Sequence, residues 1–163
     1  MIDVMSEKTK DEAARRVAGV IVSHGQVANE LLSAAETIIG HVRHVTAVSI
    51  GWHDDPEAAS NEVGRAIERV TEGRGVLLMT DMLGGTPTNI ASMFLSAGEV
   101  EVVTGVNLPM VIKLANQHGG ESLEELARLV REISHRGDAE SSACHVILEA
   151  FAEYLRSRHG AVP

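Results

Sequence analysis

Four short apolar runs, separated by stretches with helical spacing, set the main limit on how this chain folds. They are Val17–Ser23 (VAGVIVS), Val45–Ile50 (VTAVSI), Val76–Thr80 (VLLMT) and Glu99–Thr104 (EVEVVT). Strands buried on both faces read as nearly continuous apolar runs, and such strands belong to parallel sheets covered by helices. Between the runs, Gln26–Ile39 carries Val27, Leu31, Leu32, Ala35 and Ile38 at helical spacing, and Pro56–Thr71 carries Ala59, Val63, Ile67 and Val70. Further helices are expected over Pro87–Ser96, Pro109–Gln117 and Ser122–Ser134. This alternation predicts an α/β fold: an open, mostly parallel sheet of four to five strands with helices on both faces. C-terminal helices are added, the last over Ser142–Arg158, where Ala143, Val146, Ile147, Ala150, Phe151, Tyr154 and Leu155 form one apolar stripe.

The chain of 163 residues is long enough for one domain with a sizeable core. We divide it into a loose polar extension (1–16), a domain (17–140) and a C-terminal helix and tail (141–163). Aromatic residues make up only 2%, so the core must be built from Val, Ile, Leu, Ala and Met, and platforms for stacking bases are lacking. With a net charge of −9 and no basic cluster, a nucleic-acid partner is not expected. Cys144 is the single cysteine, which rules out an internal disulfide and fits a reducing compartment. No run approaches the ~20 apolar residues that cross a bilayer, and the N-terminus lacks an apolar leader. A cytoplasmic protein with no direct membrane insertion is the expectation.

In open parallel sheets, ligands sit beyond the carboxyl ends of the strands. The loops there are SHG, GWHDDP, DMLGGTPTN and GVNLP. His24 follows the first run and Asp81 the third. A carboxylate that accepts from one imidazole N–H leaves the other nitrogen bare and nucleophilic, and it stabilises the charge that develops on attack. Gly84 and Gly85 lack a Cβ, so their amides can approach an anion closely. Thr86 is expected as the N-cap and Pro87 as the first helical residue, which aims a helix N-terminus at the same spot. A nucleophilic histidine, an orienting aspartate and an anion cradle make a minimal phosphoryl-transfer site, with no metal and no cofactor required. Gly25 completes the first loop. Trp52 stands on the rim beside His53, either to dock a partner or to pack on a neighbouring loop. Asn107 and Pro109 are expected to shape the fourth loop in support of the site. His41 and His44 are read as a surface turn rather than a metal pair, and Met79, Met82, Met93 and Met110 as core or loop filler.

These motifs carry a resemblance. VIVSHG at 20–25, LLSAAETIIG at 31–40, DMLGGTPTN at 81–89 and TGVNLPM at 104–110 resemble the IIA domain of the mannose (mannose/fructose/sorbose) family of the bacterial phosphoenolpyruvate-dependent sugar phosphotransferase system. The likeness spans residues 17–116. It implies that His24 accepts a phosphoryl group from HPr and passes it to a IIB protein or domain in sugar uptake, with Asp81 as its pairing aspartate. It implies that Thr86 and the preceding glycines hold the phosphate, and that the chain forms a homodimer. In some relatives a strand from the C-terminal region is exchanged between subunits, whereas the stripe here predicts a helix. Two other readings stay open: a stand-alone regulatory IIA protein whose phosphorylation controls a partner protein, and a phosphocarrier of the dihydroxyacetone-kinase type.

Overall fold

A computed structural model describes residues 15–117 and 119–136. Strand β1 (Ala18–His24) leads to helix α1 (Val27–Ile39), β2 (Val45–Ile50), α2 (Pro56–Val70), β3 (Val76–Thr80), α3 (Gly85–Ser92), β4 (Val100–Thr104), α4 (Leu108–Ala115) and α5 (Leu123–Arg136). The sheet has the order β2-β1-β3-β4, and every pairing is parallel. The apolar runs become strands because each can bury both faces. In β1, every residue but His24 is buried.

The pleat sends alternate residues to opposite layers. Ile21, Leu77, Met79 and Val103 pack beneath α1, α4 and α5. Ala18, Val20, Val22, Val48, Ile50, Val76 and Leu78 pack beneath α2 and α3. Burying each Leu or Ile fully in this way contributes about 1.5–3 kcal/mol. Met79 and Met110 are wholly buried and replace the missing aromatics, whereas Met82 and Met93 are exposed.

Local chemistry sets most of the helix starts. Asp55 caps α2 by accepting from the Ala58 N–H, with Pro56 opening the helix. Asn107 caps α4 by accepting from the Met110 N–H at 3.1 Å. Ser122 and Glu125 bond reciprocally at the head of α5, an arrangement that satisfies two orphan amide donors. At the other end of the sheet, the buried Gln117 side chain hooks the start of β1. Its Oε1 accepts from the Val17 N–H at 2.8 Å, and its Nε2 donates to the Val17 carbonyl at 2.9 Å.

Three expectations are corrected. Helix α3 begins at Gly85 rather than Pro87, and its N-cap is Gly84, not Thr86. Gly84 and Gly85 both have positive φ (83° and 81°), and this double turn brings the chain into the helix two residues early. Thr86 therefore lies exposed in the first turn, with no capping bond. The same helix stops at Ser92 rather than Ser96, because the chain folds back to bridge Ser96 to Val100. His44 is not in a surface turn: it is 4% exposed, with Nε2 3.4 Å from the Leu114 carbonyl oxygen, because α4 packs over it. The helix expected over 142–158, with Cys144, lies outside the described residues.

Candidate functional site

Strand β1 connects outward to β2 on one side, while β3 lies on its other side, so the chain reverses direction across the sheet between β1 and β3. Such a reversal opens a crevice at the strands' carboxyl ends. His24 is the last residue of β1, and Asp81 is the first residue after β3. The sheet therefore brings together two residues that lie 57 positions apart.

His24 Nδ1 lies 2.8 Å from Asp81 Oδ2, and the same oxygen accepts the His24 backbone N–H at 3.0 Å. The other carboxylate oxygen, Oδ1, accepts the Met82 N–H at 3.0 Å. Burial alone would raise the Asp81 carboxyl. The hydrogen bonds from the His24 backbone, the His24 ring and the Met82 amide outweigh it, so the net shift is below the usual carboxylate range. Asp81 is thus held as an anion that can only accept, which puts the imidazole proton on Nδ1 and leaves the Nε2 lone pair free. The His24 side chain is 41% exposed, open enough to be reached.

Helix α3 approaches from the Nε2 side. A Cβ added to Gly85 would lie 3.1 Å from His24 Cε1 and 3.2 Å from Nε2. Glycine at 85 is what lets the backbone at the helix start come so near the ring. The start of α3, where first-turn amides and the helix dipole favour an anion, thus lies beside His24 Nε2.

The structure brings His24, Asp81 and Gly85 into contact, with Gly84 as the adjoining cap. Gly25 follows in a turn at φ 54° and donates its N–H to the Ile50 carbonyl at 2.9 Å, which ties the first loop to the second. Trp52 is 90% exposed, so it does not pack on a neighbouring loop. Val27, Met82 and Leu83 are also exposed near the ends of β1 and β3, giving this rim an apolar character. Among the described residues, none of Trp52, Thr86, Asn107 and Pro109 hydrogen-bonds to His24 or Asp81. Asn107 and Pro109 instead build the start of α4.

Sequence reasoning missed the supporting hydroxyls. Ser23 Oγ, fully buried, accepts the Ala28 N–H at 2.6 Å and lies 3.3 Å from the His24 carbonyl oxygen. It does the capping that Gln26, the N-cap of α1, does not. Thr80 and Thr88 are likewise buried and bonded to each other at 3.0 Å. A hydroxyl at the end of an apolar strand is the signal that would have found Ser23 and Thr80. Among the described residues, no group of three or more His, Cys, Asp or Glu is arranged to hold a metal ion, and no helix is long and apolar enough to cross a membrane.

The fold and this crevice define an α/β protein of the doubly wound kind, with a carboxylate-held histidine at its switch point. The chain belongs to the family of phosphotransferase-system IIA components, matching the family model described as "PTS system fructose IIA component" over residues 18–131. It is similar to the mannose-specific EIIAB component of Escherichia coli K12, with 31% identity over 123 residues, covering 74% of this chain but 38% of that protein. The chain thus spans well under half the length of that relative. It is also similar to the fructose-specific EIIA component of Bacillus subtilis, with 23% identity and coverage of 74% of this chain and 83% of that one. Among solved structures, the mannose/sorbose-specific IIA subunit from Enterococcus faecalis superposes with a TM-score of 0.67 at 27% identity, covering 75% of this chain and 92% of that one. The chain is accordingly a IIA component of the mannose family.

Proposed function

We propose that this chain is a histidine phosphocarrier that takes a phosphoryl group from phospho-HPr onto His24 and hands it to a IIB protein or domain during sugar uptake. The observation that carries this reading is the 2.8 Å contact between His24 Nδ1 and Asp81, which turns a bare Nε2 toward the backbone of Gly85. In the forward step, the Nε2 lone pair forms the new N–P bond. The P–N bond of the donor phosphohistidine breaks, and its electron pair returns to the donor imidazole. Asp81 stabilises the positive charge on the His24 ring. The amides at the start of α3 meet the equatorial oxygens, with Gly84, Gly85 and the exposed Thr86 hydroxyl as the phosphate-binding set. The four loops contain no Lys or Arg, so the helix N-terminus supplies the partial positive charge that this chain brings to them. No metal is needed, because the donor is already an activated phosphohistidine.

Trp52, with the apolar rim around it, supports docking of a protein at the strand ends, since exposed aromatic anchors are common at interfaces. We place the protein in the cytoplasm, where the donor is found, and as a homodimer, as the family resemblance implies. The test is incubation with phosphoenolpyruvate, enzyme I and HPr, followed by intact mass on wild type and His24→Ala. An acid-labile gain of one phosphoryl group on wild type alone is expected. Retained incorporation in His24→Ala would sink the assignment.

A further inference from the structure

We propose that Thr88 is a positioning residue for His24, acting through Met82 and Asp81; this rests on the reading of His24 as the phosphoryl acceptor. Thr88 Oγ1 donates to the Met82 carbonyl at 2.5 Å and lies 3.0 Å from Thr80 Oγ1. Thr80 Oγ1 is also 3.4 Å from that carbonyl. A hydroxyl has one proton and two lone pairs. With the Thr88 proton committed to Met82, the Thr80 proton is the one shared between the two hydroxyls. The direction of the network is then fixed: Thr80 donates to Thr88, and Thr88 donates to the Met82 carbonyl.

Three separate elements meet at this point. Thr80 ends β3, Met82 lies in the loop, and Thr88 lies in the first half of α3. Met82 also gives its N–H to Asp81 Oδ1. One residue is therefore gripped at its carbonyl by the helix while its amide grips the carboxylate. This sets the spacing between the two halves of the site: the carboxylate at Nδ1 and the glycine backbone beside Nε2. Without the Thr88 hydroxyl, the Met82 carbonyl keeps only the long 3.4 Å contact with Thr80 Oγ1, and the exposed Met82 is held more loosely. Asp81 then loses a fixed donor, and the imidazole proton is no longer confined to Nδ1. Buried hydroxyl networks of this kind hold geometry only when every member is satisfied.

The experiment compares Thr88→Val, which keeps the branched shape and removes the hydroxyl, with Thr88→Ser, which keeps the hydroxyl. Nitrogen-15 NMR of the His24 ring at about pH 8.5, above the usual histidine range, reads the tautomer. Phosphoryl transfer from phospho-HPr reads the rate. Wild type and Thr88→Ser should show the Nδ1–H tautomer and rates within about twofold of each other. Thr88→Val should show a mixed tautomer and transfer slowed about tenfold, the scale expected for a small misplacement of reacting groups. A Thr88→Val protein with the wild-type tautomer overturns the proposal, and so does a Thr88→Ser protein as impaired as Thr88→Val. If Thr88→Val does not fold by circular dichroism, Thr88→Ala, which also removes the hydroxyl, is judged by the same two readouts. Failure of wild type itself to accept a phosphoryl group would overturn the phosphocarrier reading, while the tautomer comparison would still decide the role of Thr88.

Discussion

Two histidines at opposite ends of the same sheet show what sets an imidazole's chemistry. His24 ends β1 at the carboxyl edge, open to solvent on one side, with a carboxylate on Nδ1. His44 precedes β2 at the amino edge, buried under α4, with Nε2 near a neutral carbonyl. Burial holds His44 below the ordinary histidine value of 6.5, and Arg16 adds to the effect; the Leu114 carbonyl and Glu72 oppose it without cancelling it. The same side chain is therefore a solvent-reachable imidazole beside an anion in one place and a neutral packing element in the other. Around His44, α1 and α4 end rather than begin, so the helix dipoles there favour cations rather than phosphate.

The comparison breaks most sharply if His24 can be dispensed with. His24→Ala should lose all phosphorylation while His44→Leu keeps the wild-type rate, as measured by intact mass and by quenched-flow transfer. Equal loss in both variants would mean that stability, not chemistry, was being read. Next in size is Asp81→Asn, which removes the anion and lets an amide donate toward Nδ1. Transfer should slow by about 10²-fold or more, with the far-UV spectrum unchanged; an unaltered rate would remove Asp81 from the mechanism. Gly85→Ala tests the approach of the helix. Its methyl group would crowd His24 Cε1, and a φ of 81° strains any L-residue. A roughly tenfold slower transfer and a stability loss of about 1–2 kcal/mol by urea titration are expected.

The smallest effect sharpens the other side. The unfolded chain protonates His44 near 6.5, whereas the folded chain resists protonation until lower pH. Below about 6.5 the unfolded state therefore binds more protons, and stability falls as pH falls through that window. His44→Leu should reduce the acid-induced drop in melting temperature between pH 7 and pH 5 by about 2–4 °C. Asp81 has the same sign in a lower pH window. Its depressed folded value contributes stability above the unfolded carboxylate range, which is lost only as pH falls through the folded value. The melting-temperature difference between Asp81→Asn and wild type should stay constant from pH 7 to 5 and shrink only in that lower range; a difference that already shrinks between pH 6 and 5 would contradict this assignment.

Much of this is legible in the sequence because the signals are local. Runs such as VLLMT announce strands buried on both faces, and alternation with helices announces a parallel sheet whose carboxyl ends carry the site. Those signals alone place His24 and Asp81 at the same edge, and the family resemblance carries the same pair. What stays hidden depends on partners distant in sequence. His44 reads as a turn residue because nothing nearby shows that α4 will cover it. Thr86 reads as a cap because Thr-Pro is a common helix opening, but the paired glycines before it make the turn themselves. Thr80 and Thr88 read as a strand former and a helix residue. Their bond exists only once β3 and α3 are folded against each other.

The hook made by Gln117 bears on the order in which the chain can assemble. Its two bonds to Val17 span 100 residues of sequence, and they secure the entrance to the central strand. The cost of closing so long a loop must be met before this contact rewards it. Until residue 117 has been synthesised, the backbone of Val17, just ahead of β1, lacks this pair of bonds.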